Sequence, residues 1–323
     1  MIPRASWIAL GLLLSLLAVA APAQEARRPF RIGVLNEAWS AAHPTVEGLK
    51  TGLKELGLVE GRDVTLDIRF TEGKTQAMPA AAESLVKTGV DLIVTSQEAA
   101  TLAARDATKT APIVFTGVGD PVGAGVVANL AQPGGNVTGI SSLQSELVAK
   151  RLQFLNALAP GVRRVWVIYY GADLSTTSMI GKVLEAAPRL KLEIVPRGVL
   201  DTDALKRVLA EVRRGEAMLA PEGSGLDIPL AVLERSLALR VPAVFASALW
   251  VGHGGLVSYG PDSYAEGVQA ASLVAKIARG SKPQDLPVEG AERIDLAVNL
   301  KTSELLGLTV PRKILLRADA LRR

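Results

Sequence analysis

The chain has 323 residues, no cysteine, and 36 basic against 32 acidic residues. This near-neutral balance, without a long Lys/Arg run, argues against a nucleic-acid-binding protein. The lack of cysteine excludes disulfide bonds, so a buried core must stabilise the fold.

The first 23 residues have the features of a secretory signal peptide. Arg4 precedes an apolar run from Trp7 to Ala20, and Ala21-Pro22-Ala23 is a small-x-small triplet of the kind that signal peptidase cuts. A retained membrane anchor is the alternative, but this run is shorter than the ~20 residues that a spanning helix needs. We therefore expect a leader at 1–23 and a mature periplasmic protein that begins near Gln24 and is not inserted in the membrane.

After the leader, short β-branched runs alternate with segments of helical periodicity, the pattern of βαβ units in parallel sheets. In HPTVEGLKTGLKELG, for example, Val46, Leu49 and Leu53 fall on one helical face, and Gly57 is placed to end the helix. The first series of predicted strands covers 31–35, 64–70, 91–96, 112–117 and 137–141.

A second series of similar length follows, with predicted strands at 164–170, 192–199, 217–222, 243–247 and 255–260. Residues 262–323 add a helix, a strand and a short helix, which is too little for a third domain. We predict an α/β protein of two doubly wound parallel-sheet lobes joined by hinge crossovers.

The expected lobe boundaries follow from this division of the chain. The N-terminal lobe would span 24–142 plus about 262–282, and the C-terminal lobe 143–261 plus about 283–323. Hinge segments are expected near 139–143, 260–262 and 281–290, and the ligand crevice should lie between the carboxyl ends of the two sets of strands.

The loop GVGDPVGAG begins like a phosphate-binding loop, but its chemistry is wrong for that role. Asp120 would repel a phosphate, and Pro121 lacks the N–H group that would bind one. We expect instead a strand-to-helix loop in which Pro121 begins a helix, and Asp120 either points into the crevice or caps that helix.

Motifs for catalysis are scarce. His43 and His253 are the two histidines, neither in a metal-ligand spacing, and the sequence contains no P-loop and no G-x-S-x-G elbow. We therefore expect no catalytic residue, no metal ligand and no cofactor.

Four acidic residues follow predicted strands and could line the crevice: Glu37, Glu98, Asp120 and Glu222. Surface placement is the alternative for each one. Together they favour a cleft that accepts a cationic or hydroxyl-rich group.

Aromatic residues are rare, and several lie at or just beyond predicted strand ends, where a ligand platform would place them. These residues are Trp39, Tyr169, Tyr170, Trp250 and Tyr259.

From Arg31 to about Asp319, the chain resembles the ABC transporter substrate-binding proteins of the tryptophan/tyrosine/phenylalanine-binding type, which have a type I periplasmic binding protein fold. The matching stretches are GLKELGLVEGRDVTLDIRF, APIVFTGVGDPVGAGVVANLAQPGGNVTGIS, GGLVSYG, GSKPQDLPVE and VNLKTSELLGLTVPRKILLRADALRR.

The resemblance implies a two-lobed receptor that closes on a small polar or amino-acid-like ligand and delivers it to a membrane permease with a cytoplasmic ATPase. We expect the receptor to be a monomer. By similarity, GVGDPV borders the cleft and PGGNVTGIS leads into the first crossover. This chain departs from the family at Ser96-Gln97-Glu98 and at Pro221-Glu222-Gly223-Ser224. The added carboxylates would repel an amino acid's carboxylate unless a group such as Arg105 is near, so we do not carry the substrate over.

The candidate ligand-binding residues are Asn36, Glu37, Trp39, Ser96, Gln97, Glu98, Gly119, Asp120, Ser141, Tyr170, Glu222, Trp250 and Tyr259. Two other functions remain open at this point. One is a secreted hydrolase that uses two cleft carboxylates such as Glu98 and Glu222. The other is a periplasmic sensory receptor that presents its ligand to a membrane kinase or chemoreceptor.

Overall fold

The computed structural model describes residues 28–37, 41–221, 223 and 226–323, and it confirms the predicted α/β class. The described residues form two lobes, each around its own sheet. The predicted leader lies outside the described residues. Within those residues, every helix is too short or too polar to cross a membrane.

The first lobe contains a six-stranded parallel sheet with the strand order β11-β5-β4-β3-β1-β2. Its two central strands β3 and β4 are almost entirely buried, as expected for a sheet covered by helices on both faces. The strands are β1 (Phe30–Asn36), β2 (Val64–Phe70), β3 (Leu92–Ser96), β4 (Ile113–Val118), β5 (Val137–Ser141) and β11 (Glu289–Gly290).

Helices cover both faces of this sheet. One face packs against α1 (Pro44–Glu55) and α9 (Ser263–Ala278), and the other against α2 (Met78–Lys87) and α3 (Glu98–Ala107). Each α helix that directly follows a strand therefore begins at the edge of the sheet formed by the carboxyl ends of the strands.

The second lobe contains a seven-stranded sheet with the order β13-β12-β10-β9-β8-β6-β7. Its neighbouring strands are parallel except for the antiparallel pair β10 and β12. The strands are β6 (Arg164–Tyr170), β7 (Glu193–Val199), β8 (Ala217–Ala220), β9 (Ala243–Phe245), β10 (Val257–Pro261), β12 (Ile294–Asn299) and β13 (Ala320–Arg322).

Seven helices accompany this sheet in the described part of the chain. They are α4 (Gln144–Leu158), α5 (Leu174–Ala186), α6 (Thr202–Glu211), α7 (Ile228–Leu239), α8 (Ala248–Gly252), α10 (Leu300–Leu305) and α11 (Arg312–Leu315). Most of the longer helices begin at a side-chain cap; in α5 the Asp173 carboxylate accepts from Thr176 N–H.

The chain crosses between the lobes three times, at 141–144, 260–263 and 290–294. The first two crossings lie where hinge segments were expected. The third lies at the end of its expected range or beyond it, because Glu289–Gly290 still pairs with β5 in the first sheet. Residues 283–290, which we expected in the C-terminal lobe, therefore lie with the first sheet.

Helix α9 returns from the second crossing and packs closely on α1. A Cβ at Gly48 would lie 2.0 Å from the Tyr264 carbonyl oxygen, and one at Gly267 would lie 2.1 Å from the Thr45 carbonyl oxygen. Only glycine fits at these two positions, so the helices approach closely enough for α9 to complete the first-lobe core.

The helix expected to begin at Pro121 is absent from the fully described segment 119–136, which forms turns instead. Asp120 accepts from Gly123 N–H at 2.8 Å, and Gly125 adopts a φ of +67°. Glycines with positive φ interrupt this segment before a helix can propagate, so the prediction was wrong.

Candidate functional site

The carboxyl ends of the first-lobe strands face the beginning of α5 in the second lobe. Strands β3 and β4 end at Ser96 and Val118, and the residues that follow them contact Leu174, Ser175 and Ser178 of α5. The two lobes therefore touch on the side of the cleft formed by these loops.

Glu98 makes the most extensive of these contacts. It is the first residue of α3 and only 5% exposed. The N–H groups of Leu174 and Ser175 each donate to its carboxylate at 3.0 Å, and the Ser175 hydroxyl donates at 2.5 Å. These N–H groups belong to the first turn of α5, where backbone donors lack partners within the helix, so the carboxylate is well matched to them.

Asp120 makes a second contact beside the first. The Ser178 hydroxyl donates to its carboxylate at 2.9 Å, and its own N–H donates to the Ser175 hydroxyl oxygen at 3.2 Å. Ser175 therefore joins both loops of the first lobe. We refer to Glu98, Asp120, Ser175 and Ser178 as the cleft contact.

Gly119 lies against the second lobe with no room for a side chain. A Cβ there would be 2.7 Å from Gln144 Cγ and 3.4 Å from Ser175 Cβ. This glycine therefore allows the lobes to approach closely at this point.

Gln97 has an unusual backbone conformation, with φ 71° and ψ 170°. This region is almost restricted to glycine and indicates local strain. Its N–H donates to the Thr116 carbonyl oxygen at 2.9 Å, and its own carbonyl accepts from the Thr101 hydroxyl at 2.7 Å. These bonds hold Gln97 in place and so fix where α3 begins and where Glu98 lies.

Three of the other polar candidates in the first lobe form hydrogen bonds with residues near them in the fold. Asn36 is buried at the end of β1, and Glu37 accepts from the Thr75 hydroxyl at 3.0 Å. Ser96 accepts from the Thr116 hydroxyl at 3.3 Å, while Ser141 accepts from Leu143 N–H at 3.3 Å at the start of the first crossing.

Three aromatic candidates, Tyr170, Trp250 and Tyr259, lie in the second lobe and are partly buried. Tyr259 packs on Phe154 with ring centroids 5.1 Å apart, and Trp250 stacks on Phe245 at 6.3 Å. Tyr170 packs against the same hydrophobic cluster as Trp250. These three rings contact the second-lobe core rather than the cleft contact.

Two further candidates, Trp39 and Glu222, lie outside the described residues. Arg105, considered as a counter-charge for a ligand, donates to the Gly125 carbonyl oxygen and lies 3.7 Å from Asp106. It therefore does not belong to the cleft contact.

A second polar cluster lies beside the crossings. Arg151 of α4 is fully buried; its Nε donates to the Tyr259 carbonyl oxygen at 2.7 Å, and its Nη1 donates to Gln144 Oε1 at 2.5 Å. Gly260 lies next to this guanidinium, since a Cβ there would be 3.3 Å from Arg151 Nη2. We refer to Gln144, Arg151, Tyr259 and Gly260 as the crossover contact.

Sequence reasoning missed Ser175, Ser178 and Arg151. The run Asp173-Leu174-Ser175-Thr176-Thr177-Ser178 follows strand β6 and could have signalled a helix start rich in hydroxyl donors. The sequence offers no comparable signal for Arg151, because its burial depends on how α4 packs against β10, whose Tyr259 lies 108 residues further along the chain. Within the described residues, no group of three or more acidic or histidine side chains is placed to hold a metal ion.

Comparisons with known proteins identify the family and the fold of the chain. The family model of the ABC transporter substrate-binding proteins matches residues 38–322. A tyrosine-binding protein of Clostridioides difficile is 24% identical over 272 residues, which cover 82% of this chain and 78% of that protein.

Two solved structures share the whole architecture. A conserved domain protein of Vibrio cholerae has 29% identity and a TM-score of 0.82, with 90% of this chain and 99% of that chain covered. An ABC domain of Streptococcus pneumoniae in complex with L-Trp has 25% identity and a TM-score of 0.80, with 91% and 99% covered. The two-lobed fold is that of type I periplasmic binding proteins, and the chain belongs to the family of ABC transporter substrate-binding proteins.

Proposed function

We propose that this protein is the periplasmic solute receptor of an ABC importer, which closes its two lobes around a small ligand and delivers it to a membrane permease driven by a cytoplasmic ATPase. The observation that carries this proposal is the cleft contact, in which loops from the carboxyl ends of the first sheet bond to the start of α5. Such contacts between lobes are those of a receptor in its closed form.

An amino acid, or a small polar solute of similar size, is the proposed ligand. The relatives support it, since one is a tyrosine-binding protein and another was solved with L-Trp. The sequence raised an objection, because the added carboxylates Glu98 and Glu222 would repel an amino acid's carboxylate. In the structure the Glu98 carboxylate accepts hydrogen bonds from the N-terminus of α5, which partly compensates its charge and weakens that objection for Glu98. Glu222 lies outside the described residues.

The signal-peptide pattern at 1–23 supports export, and we propose that the mature receptor is monomeric and uses no cofactor. We also propose that it is not an enzyme. The paired-carboxylate hydrolase becomes less attractive because both Glu98 oxygens already accept hydrogen bonds from the other lobe.

The proposal is tested with purified protein that has been unfolded and refolded to remove any carried-over ligand. L-Tyr, L-Trp, L-Phe, other amino acids, polyamines and sugars are screened by thermal shift, and hits are measured by calorimetry with D-amino acids as matched controls. A solute at 100 times its Kd should stabilise the protein by about 2.7 kcal/mol.

Three outcomes of this binding screen decide between the proposals. Stereoselective binding of an amino acid that is recovered unchanged supports the receptor. A solute that is consumed would overturn the receptor in favour of a hydrolase, and binding confined to sugars or polyamines would overturn the amino acid as ligand. Loss of uptake of the identified solute on deletion of the gene would distinguish import from sensing.

A further inference from the structure

The carboxylate of Glu98 lies where the ends of two helices from different lobes meet. Glu98 is the first residue of α3, and its carboxylate accepts from the first two N–H groups of α5. Helix N-termini carry partial positive charge, so bringing both to one place without an anion between them is unfavourable. Asp173 of the second lobe already caps Thr176 N–H of α5. Glu98 supplies a further anion, from the first lobe, for the N–H groups of Leu174 and Ser175.

Burial makes the carboxylate and its donors depend on each other. Glu98 is 5% exposed and Ser175 is 3% exposed, so neither is freely hydrated in the closed form. If the carboxylate were removed, the N–H groups of Leu174 and Ser175 would lose their acceptor in a place that water reaches poorly. Unsatisfied buried donors are costly, so the closed form would lose stability relative to the open form, in which water solvates them.

The backbone before Glu98 supports a specific placement. Gln97 has the strained conformation described above. Hydrogen bonds hold it there, because its N–H donates to Thr116 and its carbonyl accepts from Thr101. Strain of this kind persists only where the surroundings impose it. Here the strained conformation of Gln97 fixes the residue at which α3 begins, and this placement brings the Glu98 carboxylate within hydrogen-bond distance of α5.

We propose that Glu98 is a specificity-determining residue, a built-in anion that occupies the N-terminus of α5 and lets the lobes close without a ligand's carboxylate at that position. This inference rests on the proposed receptor function. An amino acid in this receptor is therefore recognised without its carboxylate bound to α5, and the ligand-free protein already populates the closed form.

The first test measures the distance between the lobes in ligand-free protein. Since the chain has no cysteine, spin labels can be attached after Lys87→Cys in the first lobe and Lys206→Cys in the second, both of which are exposed positions. We expect mainly the short distance in this labelled protein and mainly a longer distance after Glu98→Ala or Glu98→Gln. Glu83→Gln is the matched control, because it removes the same charge from an exposed residue of the first lobe.

The second test uses acetate as an external carboxylate. Acetate should restore the short distance in the Glu98→Ala variant, where the N–H groups of Leu174 and Ser175 have lost the Glu98 acceptor, and should leave the wild-type distance unchanged. Ser175→Ala, which keeps the backbone donors but removes one hydroxyl, should show an intermediate shift. Circular dichroism checks that each variant is folded, and if Glu98→Ala fails to fold, Glu98→Gln and Ser175→Ala carry the test.

An open ligand-free wild-type protein would overturn the proposal, as would folded Glu98 variants that stay closed. Absence of rescue by acetate in a folded, open Glu98→Ala variant would overturn the anion role. None of these measurements needs a bound solute. Failure of every amino acid in the binding screen would therefore count against the proposed ligand class without changing the distances.

Discussion

The two lobes meet at the cleft contact, whereas the crossover contact lies within the second lobe beside the first two crossings, and the two contacts differ in what holds them. At the crossover contact, a fully buried guanidinium and a glycine pack against backbone of the second lobe. At the cleft contact, carboxylates and hydroxyls near the ends of two helices meet across the lobes. The first set can be broken only by local unfolding, whereas the second can separate as the lobes rotate. Substitutions should therefore affect stability at the crossover contact and lobe closure at the cleft contact.

The largest effect is expected from Gly260→Ala at the crossover contact. Its Cβ would lie 1.8 Å from the Ala246 carbonyl oxygen, which is backbone and cannot move aside. We expect a loss of about 3 kcal/mol or more in the free energy of unfolding, measured by urea denaturation. Gly181→Ala is the control, since its Cβ would meet nothing within 4 Å; this helix substitution should stabilise by about 0.5 to 1 kcal/mol. Equal stability of both variants would contradict the close packing.

Arg151→Met should have the next largest effect. It keeps much of the volume but removes the donors to the Tyr259 carbonyl and to Gln144. Buried acceptors without donors cost about 2 kcal/mol in total. The control Arg207→Met, on the exposed face of α6, should change the free energy of unfolding by less than about 0.5 kcal/mol. If the two variants unfold at the same urea concentration, the guanidinium does not stabilise the crossings.

Ser178→Ala should shift closure while leaving the stability of each lobe nearly unchanged. It removes one partly exposed hydrogen bond to Asp120, worth about 0.5 to 1 kcal/mol. The ratio of open to closed molecules in the spin-label experiment should rise about two- to fivefold. Thr177→Ala, whose hydroxyl bonds to Asp173 within the same lobe, is the control and should leave the ratio unchanged. A large fall in the unfolding midpoint for Ser178→Ala would contradict the expectation that the cleft contact controls lobe closure and not stability.

The smallest effect is expected from His43, which caps the helix that packs on α9. Burial lowers the pKa of His43, and its Nδ1 accepts from Thr45 N–H at 3.3 Å. The unfolded chain therefore takes up a proton at higher pH than the folded one. The stabilising contribution is complete above about pH 6.5 and declines as the pH falls below it. His43→Asn keeps a capping acceptor without this titration, so its urea-unfolding free energy should fall less between pH 7.5 and pH 5 than that of the wild type. Parallel curves would show that His43 does not couple stability to pH.

Much of the fold could be predicted from local sequence. The runs VTLDIRF, VTGIS and RVWVIYY became strands with the predicted bounds, because runs rich in β-branched and aromatic residues between turn residues favour strands locally. The short helix predicted near the end of residues 262–323, in SELLGL, begins earlier than that segment and spans Leu300–Leu305, since Asn299 caps it by accepting from Thr302 N–H.

The site was predictable only in part. Glu98 and Asp120 could be placed at strand ends because parallel strands share one edge, but their partners could not be named. Ser175 and Ser178 belong to the other lobe, and what faces them depends on the angle between lobes that three crossings set together. The ligand roles of the thirteen candidate residues remain predictions.

The contact between α1 and α9 joins residues 44–55 with 263–278, close to opposite ends of the chain. A ribosome releasing this polypeptide has made more than four-fifths of it before the first lobe can complete its core. Contacts so distant in sequence form slowly, which delays folding until translation is almost finished. A chain that folds this late remains unfolded while it is being made. An export channel for unfolded polypeptides requires this state of its substrates.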